Sequence, residues 1–152
     1  MTELLAPAGN FERLKTAFYF GADAVYLAYK KFGLRAFADN FDLDELKTAV
    51  DYAHALGKKI YVTLNIFARD TDFGELTEFL PELNKIGPDG VIVSDLGVAS
   101  AVKKYAPYLA LHLSTQANLM NKYAAAEYVK FGFSRLVVAR ETSLSEIRAI
   151  RD

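Results

Sequence analysis

The sequence has 152 residues, 52% of them hydrophobic, and its 18 Lys and Arg nearly balance its 19 Asp and Glu, for a net charge of −1. This composition excludes a disordered chain, and the near-neutral charge argues against a protein that coats nucleic acid by charge alone. The chain contains no cysteine, which excludes a disulfide scaffold, a thiol nucleophile and thiolate metal ligands within these residues. No signal-peptide pattern and no apolar run near the ~20 residues of a bilayer span is present, so we expect a cytoplasmic protein.

Short apolar segments alternate with amphipathic segments along the whole chain. We predict six strands, each a nearly continuous run of apolar residues: Glu3–Ala6, Ala24–Ala28, Lys59–Leu64, Gly90–Ser94, Leu109–Ser114 and Arg135–Ala139. Such runs are typical of strands that are covered on both faces, as in a parallel sheet.

Each strand is followed by a predicted helix with a recognisable first residue. Three helices begin with a capping box, in which an oxygen-bearing side chain precedes a carboxylate by three residues. These boxes are Asp42 to Glu45, Asp72 to Glu75 and Ser143 to Glu146, and Asn10 and Asn121 are predicted N-caps of two further helices.

Two architectures accept successive βα units: an open doubly wound sheet and a TIM-type (β/α)8 barrel. The first usually carries a G-x-G-x-x-G turn after the first strand, but here that turn is Ala6-Pro7-Ala8-Gly9-Asn10. The predicted strands start about 26 residues apart, so eight units would need roughly 210 residues. We therefore predict an incomplete TIM-type (β/α)8 barrel of about six units with a parallel sheet. It would form a single domain over residues 1–152, with the remaining units after Asp152.

Seven segments, in the same order along the chain, carry a resemblance to a known family. They are Glu3–Glu12, Gly21–Leu27, Phe32–Phe41, Lys59–Asn65, Asp89–Asp95, Leu113–Asn118 and Arg135–Glu141. Together they resemble the N-terminal region of the peptidase U32 family, the collagenase-like proteases. The resemblance implies a TIM-type barrel and, as the first expectation for function, a collagenase-like peptidase that acts in proteolysis.

The same resemblance implies an alternative function. Some family members take part in oxygen-independent, prephenate-dependent hydroxylation of tRNA, rRNA or the ubiquinone ring, and some of those carry a [4Fe–4S] cluster. The family signature, with its cysteine, would follow Asp152, so we expect no cofactor in this chain and, for the hydroxylation alternative, a cluster and an RNA partner in the full-length protein. A second alternative is an inactive folded fragment.

Polar residues lie at the end of the fifth predicted strand and just after it, where the C-terminal end of a barrel strand would place them at an active site. His112, Ser114 and Gln116 alternate and therefore share one face. A serine-protease arrangement would use Ser114 as nucleophile, His112 as base and Asp95 as orienting group. Residues two apart on a strand are separated by roughly 7 Å at the backbone, however, which favours a ligand-binding polar layer instead. Asp95 fits the N-cap of the next helix equally well.

The remaining candidates are expected to bind a peptide or a small anionic substrate. Arg35, in the long loop after the second strand, and Arg140 offer guanidinium groups that bind carboxylates in a bidentate manner. An ion pair between Arg140 and Glu141 is the structural alternative. The other substrate-binding candidates are Asn65, Gln116, Asn118 and Glu141. We predict no metal site in this chain.

Two further features concern partners. Lysine pairs occur at Lys30-Lys31, Lys58-Lys59 and Lys103-Lys104, and they would suit an RNA backbone as well as solvated helix ends. The first and sixth strands would be open edges of the incomplete barrel, and an open edge recruits partners. We therefore expect self-association, or a C-terminal element that covers the gap.

Overall fold

The computed structural model describes residues 2–32 and 40–151, and within them strands and helices alternate. The strands are β1 (Leu5–Pro7), β2 (Ala24–Ala28), β3 (Lys59–Leu64), β4 (Gly90–Val93), β5 (Ala110–Leu113) and β6 (Phe133–Leu136). The helices are α1 (Phe11–Tyr19), α2 (Leu43–Ala55), α3 (Phe73–Ile86), α4 (Leu96–Tyr105), α5 (Lys122–Phe131) and α6 (Leu144–Arg151). Short 3₁₀ turns at Asp70–Asp72 and Thr115–Ala117 precede α3 and α5.

The six strands form one sheet in the order β1-β2-β3-β4-β5-β6, and every neighbouring pair is parallel. Strictly sequential parallel order is the order of a TIM-type barrel, whereas a doubly wound sheet reverses its strand order part-way. The prediction of an incomplete (β/α)8 barrel is therefore confirmed. Within the described residues, β1 and β6 are the two edges of the sheet.

The sixth strand lies earlier in the chain than its sequence pattern indicates. It begins at Phe133, directly after Gly132, which ends α5 in the left-handed conformation with φ 118°. The polar residues Ser134 and Arg135 obscure this start in the sequence. The apolar residue Val137 follows the strand, although its backbone N–H still donates to the Leu113 carbonyl at 3.0 Å.

The helix starts follow the predicted capping chemistry with one exception. Predicted caps accept hydrogen bonds from the first turn at four helices: Asn10, Asp42, Asn121 and Ser143. The box predicted from Asp72 to Glu75 is wrong. The Asp72 carboxylate instead accepts the backbone N–H of Arg69 at 2.7 Å, within the 3₁₀ turn, and gives no side-chain cap to α3.

Apolar residues cover both faces of the sheet. One face packs against the helices through fully buried side chains such as Val25, Val62 and Leu113. The opposite face, called the inner face below, carries a second cluster: Leu5, Ala24, Tyr26, Tyr61 and Ile92. Because successive strand residues alternate between faces, the polar residues in register with this cluster also lie on the inner face.

In the described ranges, none of the helices combines the length and the apolar character that crossing a bilayer requires.

Candidate functional site

An ion pair spans the inner face near the amino ends of the strands. Arg135 of β6 donates from Nη1 to Oε1 of Glu3 at 2.6 Å, which connects segments 132 residues apart. The Tyr61 hydroxyl, from β3 between them, donates to Oε2 of Glu3 at 2.9 Å. The segment just before β1 is thus linked to β3 and β6 through one carboxylate.

The ionisable groups of this network shift one another's pKa values. The hydrogen bond from Arg135 holds the pKa of Glu3 below its usual value, and the guanidinium carbon lies 4.9 Å from the centre of the Tyr61 ring. Burial, with the bond to the Glu3 carboxylate, raises the pKa of Tyr61 to about 12. At neutral pH the network therefore holds a carboxylate, a guanidinium and a neutral phenol. Such an arrangement stabilises the sheet.

His112 extends this network as an uncharged ring. It is 5% exposed and lies edge-on to Tyr61, with the ring centres 4.6 Å apart. Burial, together with the positive charge of Arg135, lowers the pKa of His112 to about 4. Its buried Nδ1 has no hydrogen-bond partner among the described residues. A histidine with so low a pKa is a weak proton acceptor at neutral pH, which does not suit a general base.

Ser114 lies at the carboxyl end of β5, where sequence reasoning places an active site. Its Oγ accepts the backbone N–H of Gln116 at 3.3 Å and lies 3.5 Å from Nδ2 of Asn65, which follows β3. Within the described residues no hydrogen bond joins it to His112. The structure thus brings Ser114 and Asn65 together, and it does not bring Ser114 to a base.

Asp95 caps a helix. Its Oδ1 accepts the backbone N–H of Val98 at 2.9 Å, in the first turn of α4. This bond is the N-cap that the sequence offers as the alternative to an orienting role. Within the described residues, the three side chains of the serine-protease hypothesis are therefore not joined to one another by hydrogen bonds.

The other candidates lie further out at the carboxyl end of the sheet. Gln116 and Asn118 are exposed, and Asn118 adopts the left-handed conformation (φ 52°) after the 3₁₀ turn. Arg140 and Glu141 are also exposed, and in the part of the chain that the structure describes no ion pair joins them. Arg35 lies outside the described residues. The substrate-binding roles of these residues stay predictions.

Sequence reasoning missed Glu3, Tyr61 and Arg135 as a unit. The signal in the sequence was a pair of opposite charges. Glu3 lies just before the first of six apolar strands, and Arg135 lies within the last. Alternation places Glu3 on the same face as Leu5, and Arg135 on the same face as its register partner His112. Two opposite charges on one face of a curled sheet are expected to pair.

A [4Fe–4S] cluster does not fit the donors of this chain. Such clusters are held by cysteine thiolates, and the sequence contains no cysteine. In residues 2–32 and 40–151 no group of three or more His, Asp or Glu side chains is arranged to hold a metal ion.

Comparison with known proteins identifies the family. A sequence profile of peptidase family U32 matches residues 9–152. The chain belongs to peptidase family U32. This confirms the resemblance seen in the sequence segments.

Relatives of this U32 chain carry two kinds of name. It is 43% identical over 150 residues to "tRNA hydroxylation protein P1" of Bacillus subtilis, covering 99% of this chain and 36% of that protein. It is 36% identical over 148 residues to the "23S rRNA 5-hydroxycytidine C2501 synthase" of Escherichia coli, covering 97% and 22%. It is 40% identical over 152 residues to an "Uncharacterized protease" of Methanocaldococcus jannaschii, covering 100% and 37%. The U32 chain thus spans about a third or less of the length of these relatives.

A solved U32 peptidase has a similar fold. It superimposes with a TM-score of 0.80 at 19% sequence identity, covering 99% of this chain and 64% of the other. At that identity the similarity shows the fold alone, and it agrees with the sequential parallel sheet.

Proposed function

We propose that this U32 chain is the N-terminal barrel region of a cytoplasmic protein that takes part in the hydroxylation of RNA, with tRNA as the first candidate substrate. The similarity to the Bacillus subtilis protein named for tRNA hydroxylation carries the proposal, since it extends over 99% of the chain at 43% identity. The rRNA hydroxycytidine synthase supports the same class of activity. These relatives favour the hydroxylation alternative over the collagenase-like peptidase that was the first expectation.

The site geometry also supports the proposal against a serine peptidase. His112 is buried and neutral, and its low pKa makes it a poor acceptor for a serine proton. Ser114 and Asp95 are each engaged by backbone N–H groups of their own turns. A serine nucleophile needs a base within hydrogen-bond reach, and the described residues offer Ser114 none.

In this proposal the carboxyl end of the sheet contacts the substrate. Asn65 and Ser114 are the hydrogen-bonding groups that the fold brings together there. The exposed guanidinium of Arg140 would bind the carboxylate of a small anionic co-substrate. Any [4Fe–4S] cluster would be held by residues outside this sequence.

The proposal is tested by deleting the gene in its own organism and digesting the tRNA to nucleosides for mass spectrometry. We expect a nucleoside heavier than its parent by one oxygen atom to disappear on deletion and to return when the full-length gene is restored. Unchanged nucleosides, together with gelatin cleavage by the purified full-length protein, would overturn the proposal in favour of the peptidase.

The exposed sheet edges support a second, smaller expectation for the 152-residue chain alone. β1 and β6 each have one unpaired side within the described residues, and such edges pair with further strands. We expect self-association that increases with concentration in sedimentation velocity. A monomer that stays unchanged over a wide concentration range would contradict it.

A further inference from the structure

The three lysine pairs differ in what their ammonium groups contact. Carboxylates lie within 4 Å of the first two pairs: Lys30 with Asp42 and Glu45, Lys31 with Glu75, Lys58 with Asp23, and Lys59 with Glu3. Lys103 and Lys104, in the last turn of α4, have no carboxylate within that distance among the described residues. The first two pairs are thus largely neutralised, whereas the third pair keeps its charge available.

Aromatic rings and a backbone carbonyl hold the third pair instead. Nζ of Lys103 donates to the carbonyl of Phe131 at 2.7 Å and lies 4.8 Å from the centre of its ring. Nζ of Lys104 lies 4.9 Å from the centre of the Tyr105 ring. Both lysines are exposed. This contact joins the end of α4 to the end of α5. The nearby Lys130 lies 2.7 Å from Oε1 of Glu127 and is therefore neutralised like the first two pairs.

An exposed tyrosine lies next to these lysines in the chain. Tyr108 is 88% exposed, yet its backbone N–H is held by Oδ1 of Asn84 at 3.2 Å. Pro107, just before it, fixes one backbone angle. A large ring is therefore presented to solvent from an anchored loop. We call Lys103, Lys104, Tyr105, Tyr108 and Phe131 the basic aromatic patch.

Helix electrostatics explain only part of this patch. Lysine is favoured in the last turn of any helix because it interacts with the negative end of the helix dipole. That effect accounts for Lys103 and Lys104, but it gives no reason for the exposed ring of Tyr108. Available ammonium groups with an exposed ring four residues further along the chain are a combination that suits single-stranded nucleic acid, since phosphates pair with cations and bases stack on rings.

We propose that the basic aromatic patch binds a single-stranded segment of the RNA substrate, an inference that rests on the proposed function. Lys103 and Lys104 contact phosphates, and a base stacks on Tyr108. The patch adjoins the amino ends of β5 and β6, whereas Asn65 and Ser114 lie at the carboxyl ends. It therefore anchors RNA away from the nucleotide that is modified, and it contributes to affinity and KM with little effect on kcat.

The test uses the full-length protein and fluorescently labelled tRNA, with affinity measured over a series of salt concentrations. We expect Lys103→Ala and Lys104→Ala each to weaken binding severalfold and to reduce the slope of log K against log salt by about one. Tyr108→Ala should weaken binding about 10-fold, and Tyr108→Phe should retain it, because stacking needs the ring alone.

Matched controls lie elsewhere on the surface. Lys47→Ala removes an exposed lysine of α2 that pairs with Asp51, and Tyr19→Ala removes a ring that is 84% exposed at the end of α1. Both variants should bind tRNA within about twofold of the wild type. Equal losses in the control and patch variants would overturn the proposal.

The outcomes separate this proposal from the proposed function. If the wild-type protein binds tRNA and restores the hydroxylated nucleoside, and the patch variants do the same, RNA binding by the patch is overturned and the proposed hydroxylation function is retained. If patch variants lose hydroxylation at unchanged tRNA affinity, a protein occupies the patch and the RNA proposal is overturned. If the wild type neither binds tRNA nor restores the nucleoside, the proposed function fails, and the patch proposal with it.

Discussion

The two ends of the inner face differ in how their polar groups are partnered. At the amino end, Glu3 and Arg135 form an ion pair at 2.6 Å and Tyr61 donates to the same carboxylate. At the carboxyl end, Asn65 and Ser114 are only 3.5 Å neighbours. Groups that satisfy one another stabilise a fold, whereas the carboxyl ends of barrel strands are where TIM-barrel enzymes bind their ligands. We therefore expect the amino end to stabilise the sheet, and the proposed function places ligand binding at the carboxyl end.

Breaking the ion pair should give the largest loss of stability. Glu3→Gln leaves the partly buried guanidinium of Arg135 without a counter-charge, and we expect the free energy of unfolding to fall by about 2–3 kcal/mol, below the range for fully buried pairs. Urea denaturation measures this, with Lys47→Ala as a control that removes an exposed pair and changes stability by less than about 0.5 kcal/mol. Equal effects from both variants would show that the amino end is not a stabilising network.

Acid should weaken the amino end through His112. The pKa of His112 in the folded chain, about 4, lies below the ordinary value of 6.5. Between these two pH values the unfolded chain therefore binds a proton on this imidazole that the folded chain does not bind. The free energy of unfolding should therefore fall as the pH drops from 6.5 towards 4, by about 2 kcal/mol at pH 5. His112→Phe should remove this part of the pH dependence. An unchanged slope between pH 6.5 and 5 in the variant would contradict a buried neutral imidazole.

Asp95 tests whether a residue near the carboxyl end has a structural task. Asp95→Ala removes the acceptor for the Val98 N–H, and we expect a loss of about 1 kcal/mol in urea denaturation. Asp95→Asn keeps an acceptor oxygen and should retain most of that stability and full hydroxylation in the complemented strain. Loss of hydroxylation in the stable Asn variant would instead assign Asp95 to the reaction.

Asn65 should show the smallest effect on stability. Its contact with Ser114 is long, so Asn65→Ala is expected to change the free energy of unfolding by less than about 0.5 kcal/mol. If Asn65 contacts substrate, the same variant loses a hydrogen bond in the complex, and hydroxylation should fall about 10-fold. Full hydroxylation in this variant would remove Asn65 from the site.

Local patterns predicted most of the fold. The bounds of β2 and β3 agree with the apolar runs, because both strands are covered on both faces, and the helix starts at Asn10 and Asp42 follow from side-chain capping. The start of β6 was missed because Ser134 and Arg135 interrupt its apolar run. Strand order followed from the βα repeat and its pitch.

The site was predicted less completely, for a physical reason. The face shared by His112 and Ser114 follows from the period of a strand. The pairing of Glu3 with Arg135 depends instead on how the six strands curl and align. Local periodicity does not predict a contact between residues that are 132 positions apart in the chain. Curling also buries His112 and lowers its pKa, so its chemistry was not readable from its position alone.

The division between the two ends is tested most directly by one paired measurement on the full-length protein. Glu3→Gln and Asn65→Ala are compared for their free energy of unfolding and for the hydroxylated nucleoside restored per folded molecule. We expect Glu3→Gln to lower stability and keep hydroxylation, and Asn65→Ala to keep stability and lose hydroxylation. The reverse pattern, or a loss of both properties in both variants, would contradict this division.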